Sequence, residues 1–360
     1  MLKTQEYLIS GKTLKDLKNE YGIDSIIDIS GKLVKLNYCQ IDSSKHKFHE
    51  IVRECRGLVL ENISWKLVSC GFFRFYNLGE QPEVDQAFDW ENATIDSKED
   101  GSMIMLYCYS DKWFVNTKGS FGKGDISPLV PGLTWEQCFF STINVDALEG
   151  LDKTNSYVFE LMSPLNKVVV HHEKTHSKLL GIFDNLDSAR EISDQNYLNT
   201  IAEILEVERP TRYSFSHLPS LLEYLALQPY SFEGLVVYDG NTRLKVKNPL
   251  YVAAHHLKNN GNISSKKNII PFILKGEADE VKAIFPEYKE IIEKLEDSYK
   301  QAQAEVSELW DKFSKVEDQK EFALSVKHSK WCSVLFNARR FKEKPLTLLR
   351  NADTLLINNL

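Results

Sequence analysis

The chain has 360 residues, 42% hydrophobic and 26% charged, enough for two domains with a sizeable core and ordinary for a water-soluble globular protein. Its 44 basic and 51 acidic residues leave a net charge of −7, which excludes a surface that grips nucleic acid all over; any such binding must run through a local patch. The six cysteines (Cys39, Cys55, Cys70, Cys108, Cys138 and Cys332) lie too far apart for a zinc ribbon or a redox pair, and several sit in apolar runs that predict reduced, buried thiols. No apolar window approaches a membrane span, and the N-terminal MLKTQEYLISGK lacks a signal-peptide core, so a cytoplasmic protein is expected.

Up to about residue 250 the chain reads as mostly strand with a few helices. GKLVKLNY, RGLVLE, KLVSCGFFRFYN, SMIMLYCY, KWFVNTK, SYVFELM, NKVVVHH, KLLGIF, GLVVYDG and RLKVK are short, rich in Val, Ile, Phe and Tyr, and bounded by turns. Only Ser110-Asp111-Lys112 separates SMIMLYCY from WFVNTK, which predicts an antiparallel hairpin. Helices are expected over 187–206 and 216–227. From about His255 the character changes. Tyr288, Ile292, Leu295, Tyr299, Ala302, Val306, Leu309 and Phe313 recur at steps of three and four, one face of a long amphipathic helix. The stretch 277–321 carries 14 acids against 7 bases, whereas 327–350 carries 7 bases against 1 acid. That basic segment is either a solvated helical face or a contact for an RNA backbone, its Trp331, Phe336 and Phe341 being alternatively core.

Candidate functional residues punctuate the strands. Arg56 opens RGLVLE, Arg74 sits in FFRFYNLGE, and Lys98 stands in SKEDGSMIML with Glu99 and Asp100 beside it and Gly101 to admit close backbone approach. Lys118 ends the following strand, Glu160 lies in SYVFELM and Glu233 in SFEGLVVYDG, while Lys245 and Lys247 share one face of RLKVK. Singly, each reads as a solvated strand-end charge. Together they are the cations and carboxylates that a triphosphate, a metal ion and a nucleophilic lysine require. Glu233 and Lys245 must then face one ligand. A two-residue turn at Gly240-Asn241 would put them on opposite faces, so an odd-length loop or bulge is expected, such as Gly240-Asn241-Thr242. His172-Glu173-Lys174-Thr175-His176 fits the H-E-x-x-H zinc pattern, but that chemistry needs a helix, and a loop between two strands is the expectation here.

The ordered set KEDGS, FELMSPLN, LLGIF, FEGLVV and KVKNPLY resembles motifs I, III, IIIa, IV and V of the covalent nucleotidyltransferase superfamily, which holds ATP-dependent DNA ligases, RNA ligases and mRNA capping enzymes. RGLVLE, FFRFYNLGE and the tyrosine of KVKNPLY look like the phage tRNA-repair RNA ligase family, the RNA ligase 1 type, and GEADEVKAIF resembles a family segment with an acidic metal ligand. DNA ligases and capping enzymes carry an OB-fold with an arginine-rich motif after motif V; a helical stretch follows here, which favours an RNA ligase.

The resemblance implies an α+β fold: an antiparallel-sheet nucleotidyltransferase (adenylyltransferase) domain over 1–254, then an all-helical C-terminal domain over 255–360 concerned with RNA specificity. Lys98 would attack the α-phosphate of ATP to give lysyl-AMP, and the AMP would pass to an RNA 5′-phosphate before a 3′-hydroxyl expels it. Tyr38, Arg56, Arg74, Glu99, Lys118, Glu160, Glu233, Lys245 and Lys247 would hold the nucleotide. Cations around Lys98 would depress its pKa. Asp100 and Tyr251 would support sealing. Asp279, Glu160 and Glu233 would serve Mg²⁺, with Mn²⁺ as a substitute. The implied partner is RNA, in particular broken tRNA handed on by a polynucleotide kinase-phosphatase, and the implied setting is a monomer in the host cytoplasm of a phage. The alternatives are an ATP-dependent DNA nick ligase and a catalytically inactive nucleotide- or RNA-binding module of the same fold.

Overall fold

The computed structural model describes residues 1–360 other than 40–41, 167, 253, 255–265, 276–277, 279–281, 283–287, 351 and 360. Its chain forms two compact units, Met1–Val252 and Ala253–Leu360.

The first unit is built on three sheets. In chain order the strands are β1 (Ile23–Ile27), β2 (Leu33–Tyr38), β3 (Arg56–Glu61), β4 (Leu67–Ser69), β5 (Tyr76–Asn77), β6 (Thr94–Lys98), β7 (Ser102–Tyr109), β8 (Lys112–Thr117), β9 (Asn155–Met162), β10 (His176–Asp184), β11 (Arg190–Glu191), β12 (Arg212–Tyr213), β13 (Gly234–Tyr238) and β14 (Arg243–Lys247). One sheet runs β1-β2-β3-β4, the second β11-β10-β9-β7-β8 and the third β12-β6-β13-β14-β5. Alternation explains how the last two enclose a site. Leu235, Val237, Leu244 and Val246 turn to a core shared with Leu221 and Leu225 of the helix Leu218–Ala226. Their neighbours Val236, Lys245 and Lys247 turn the other way, into a cavity. On the second sheet Tyr157, Phe159 and Leu161 pack beneath the helix Gln195–Ile204, leaving Glu160 on the cavity side.

The hairpin expected at Ser110-Asp111 is present. Tyr109 pairs with Lys112, and both turn residues have positive φ, 49° and 59°, as a type I′ turn requires. The second hairpin differs from expectation. Tyr238 pairs with Arg243 across the even-length loop 239–242, without a bulge. Glu233 nevertheless reaches the same side as Lys247, because it precedes β13 and Gly234 breaks the alternation at φ +146°. The described residues of NKVVVHH form no strand: Val169 and Val170 instead donate their backbone N–H groups to the Asp100 carboxylate. The expected helix over 187–206 is confined to Gln195–Ile204, preceded by the short β11. KLVSCGFFRFYN contributes only β4 and β5; the helices Lys3–Ile9 and Leu14–Tyr21 and the strand β1 are additional to the elements expected, although Thr13 with Asp16 caps the start of the second helix and Gly22 ends it.

The second unit holds the long helix Lys289–Phe313, which buries Ile292, Leu295, Ala302 and Val306 as the three-four spacing predicts. Val306 joins Phe322, Trp331 and Leu335 in the core of this unit. Among the described residues no helix is long and apolar enough to cross a membrane.

Candidate active site

Lys98 is the last residue of β6, and its placement follows from three close backbone approaches. Gly234 pairs with it across the ladder. A Cβ on Gly234 would lie 2.4 Å from the Val246 carbonyl oxygen, and one on Gly101 would lie 2.5 Å from that of Leu161, so only glycine fits either position. Between Lys98 and Gly101, the Asp100 side chain is buried. It accepts from the Val169 N–H at 2.9 Å and from the Tyr251 hydroxyl at 2.7 Å, while the His172 ring nitrogen lies 2.7 Å from its carbonyl oxygen. Asp100 and Tyr251 therefore form one buried pair that fixes the chain behind Lys98. This also settles the H-E-x-x-H segment: it is loop up to the first residue of β10, and among the described residues no group of three or more His, Cys, Asp or Glu is placed to hold a metal.

The Lys98 amine lies 2.7 Å from Glu233 Oε1, and Lys247 approaches the same oxygen at 3.8 Å. Burial pushes the Lys98 amine down, but Glu233, Glu160 and Asp100 outweigh it and hold its pKa above the usual lysine value. The lowered pKa expected from surrounding cations is not found; carboxylates dominate this neighbourhood. Burial pushes Glu160 up to about 7, with Glu233 adding to the rise and Lys98 and Arg56 opposing it. Glu233 is also raised, again by burial first. Lys245 is pushed down to about 7 by burial and by Arg56, Lys98 and Lys247.

Lys98, Glu99, Arg56, Glu160, Lys245 and Lys247 all line one cavity of about 490 Å³. Arg56 enters it because the β2–β3 register skips Gly57, a bulge at φ +80° that turns the strand end inward. Glu99 accepts from the Lys178 amine at 3.0 Å and from the Ser97 hydroxyl at 2.5 Å. Tyr38, Arg74 and Lys118 form a separate stack: the Arg74 guanidinium lies 4.4 Å and the Lys118 amine 4.1 Å from the centre of the Tyr38 ring. Among the described residues Arg74 Nη1 is buried there without a hydrogen-bond partner. Asp279 lies outside the described residues.

Sequence reasoning missed the apolar walls Phe75, Leu180 and Val236, which suit a flat ring, and the lining residue Arg209, whose Nε and Nη1 are buried without partners among the described residues. Such residues carry no local signal, because only the packing of distant strands brings them together. The buried Glu233 and the half-buried Glu160 carboxylates offer hard oxygen donors of the kind a hydrated divalent ion would take.

Facing sheets that close on a lysine, with carboxylates and cations on the walls, define a nucleotidyltransferase-type fold. The chain belongs to the RNA ligase family, whose profile matches residues 54–251. It is 27% identical over 318 residues to a bifunctional polynucleotide kinase/RNA ligase of Autographa californica nuclear polyhedrosis virus, covering 83% of this chain and 44% of that protein. An RNA ligase of Rhodothermus phage RM378 is 24% identical over 314 residues, 70% of each chain. The chain thus spans less than half the length of the baculovirus relative. Among solved structures, an archaeal ATP-dependent RNA ligase superposes with a TM-score of 0.51 at 12% identity over 82% of both chains, a likeness of fold.

Proposed function

We propose that the chain is an ATP-dependent RNA ligase that joins a 5′-phosphate to a 3′-hydroxyl through lysyl-AMP and RNA-adenylate. The observation that carries this reading is the Lys98 amine, held by Glu233 inside a cavity that also presents Glu160, Arg56, Lys245 and Lys247. With its proton passed to the Glu233 carboxylate 2.7 Å away, the Lys98 amine forms a P–N bond to the α-phosphorus of ATP as the bond to the bridging oxygen breaks and pyrophosphate leaves. A 5′-phosphate oxygen of RNA then takes the adenylyl group and frees Lys98. The RNA 3′-hydroxyl finally attacks that phosphate, and AMP departs. Arg56, Lys245 and Lys247 stabilise charge on the phosphates, and the stack of Arg74 and Lys118 on Tyr38 is assigned to the leaving pyrophosphate. Glu160 and Glu233 would hold a divalent ion, Mg²⁺ or Mn²⁺ in its place, which would supply charge neutralisation for the phosphates.

The finer reading is repair of broken tRNA whose ends a kinase-phosphatase has prepared; the similarity to a bifunctional kinase/ligase supports it. The test is incubation with ATP labelled at the α-phosphate. Wild type is expected to form a covalent adduct that is chased into 5′-phosphorylated RNA in preference to nicked duplex DNA. Lys98→Ala is expected to form none while still sealing pre-adenylylated RNA weakly. An adduct at normal yield in Lys98→Ala would overturn the assignment.

A further inference from the structure

Lys35 lies in the middle of β2 and is 1% exposed. Among the described residues no carboxylate pairs with it, and burial alone acts on its amine. A buried amine without a counter-charge is costly and needs a structural reason. Its partners supply one. The amine donates to the backbone carbonyls of Thr117 and Ser120, the two residues that bracket Lys118. The same turn is closed from within: Gly119 and Ser120 donate their N–H groups to the Thr117 hydroxyl at 3.2 and 2.9 Å, and Thr117 N–H donates to the Ser120 carbonyl at 3.0 Å. The Lys118 main chain also rests against Gly57, where a Cβ would come within 3.4 Å of the Lys118 Cα. Beside that turn the Lys118 amine stacks on Tyr38.

We propose that Lys35 is a positioning residue: with the turn Thr117–Ser120 that it braces, it fixes Lys118 for contact with the departing phosphates of the nucleotide. Protonated or neutral, an amine supplies two N–H donors to two carbonyls, so the brace holds in either state. Nothing in the proposed chemistry calls on Lys35 directly; it acts through Lys118. The inference rests on the RNA ligase reading, and wild-type protein that forms no adduct with ATP would remove that reading and leave this one without a step to govern.

The experiment separates the step that uses pyrophosphate from the step that does not. Lys35→Met keeps length and bulk but removes both donors. With labelled ATP, its KM for lysyl-AMP formation is expected to rise about tenfold, the scale of one weakened charge-assisted hydrogen bond. Sealing of pre-adenylylated RNA, which involves no pyrophosphate, is expected to stay within about twofold of wild type. Lys118→Met is expected to raise the same KM, and the double variant to be no worse than Lys118→Met alone, because the two residues act as one unit. An unchanged KM in Lys35→Met, additive effects in the double variant, or equal loss of both steps would each overturn the proposal. Where Lys35→Met does not fold, Thr117→Val decides: it loosens the same turn from inside, and a KM for ATP equal to that of wild type would overturn the role of the turn.

Discussion

Lys35 and Lys98 are both interior lysines, yet their surroundings push their amines in opposite directions. Lys98 has three carboxylates near it and is held as an ammonium. Lys35 has carbonyls and the face of Phe121, 5.8 Å away, and burial brings it down to about 7 from the ordinary 10.5. The sign of the resulting pH dependence follows. Between about pH 7 and 10.5 the unfolded chain binds a proton at Lys35 that the folded chain does not, so stability gained from this residue grows as pH rises through that window and is lost as pH falls through 7. The slope approaches about 1.4 kcal/mol per pH unit for one fully titrating group. Urea unfolding of wild type and Lys35→Met at about pH 6.5, 8 and 9.5 measures this: the stability of wild type relative to the variant is expected to climb with pH. A difference that stays flat would mean that Lys35 keeps an ordinary pKa.

At the scale of elements, Gly234 decides whether Glu233 reaches Lys98. An alanine there would set its Cβ 2.4 Å from the Val246 carbonyl oxygen and 2.8 Å from the Lys247 Cα, both backbone atoms of the paired strand, at a φ of +146°. Gly234→Ala is therefore expected to lose roughly 2–3 kcal/mol or more of stability and to abolish lysyl-AMP formation. Gly124→Ala, with nothing within 4 Å of its added Cβ, serves as the control in the same unfolding and labelling assays. A folded, fully active Gly234→Ala would show that the β13–β14 hairpin does not govern the site. This element also marks the boundary of what the sequence could tell. The alternation in RLKVK and the helical spacing from Tyr288 to Phe313 are local, and the structure follows both. The loop of the β13–β14 hairpin was misjudged because strand parity alone seemed to demand an odd length, whereas one glycine at the strand entry re-aims Glu233. NKVVVHH misled for the opposite reason: a β-branched run reads as strand, but the Asp100 carboxylate claims two of its N–H groups. Within the site, Lys98 was legible from its motif. Lys35 was not, since a lysine in an alternating strand reads as solvated until the turn it braces is in view.

Across the whole molecule, charge is divided between an acidic stretch and a basic one, and the structure sorts the basic residues of 327–350 into two kinds. Arg339 belongs to the fold of its unit. Its guanidinium donates to the Val316 and Glu317 carbonyls at 2.5 and 2.7 Å and stacks over Phe322 at 4.5 Å, so Arg339→Ala would strip two capped carbonyls and unsettle the core. Trp331 is buried, donating to Glu305 at 2.7 Å, and Phe336 packs edge-on against Phe322 at 5.8 Å. Arg340, Phe341, Lys342 and Lys344, by contrast, are exposed at the end of the helix Cys332–Phe341 and just beyond it. Arg340 lies 5.2 Å from the centre of the exposed Phe341 ring, and Lys342 and Lys344 follow with Glu343 between them, a combination that would suit a flexible RNA strand, cations for phosphates and the ring for a base. Replacing Arg340, Lys342 and Lys344 together by Ala, with Arg339 left in place, is expected to weaken joining of a nicked, structured RNA. It should also lower the magnitude of the salt slope of RNA binding by roughly 2, the share of about three single-strand phosphate contacts. Lysyl-AMP formation should stay near wild type, since its residues lie in the unit Met1–Val252. Joining and salt slope both unchanged in a folded triple variant would remove RNA from this surface. A fall in lysyl-AMP formation alongside joining would instead mean that these cations serve the stability of the protein.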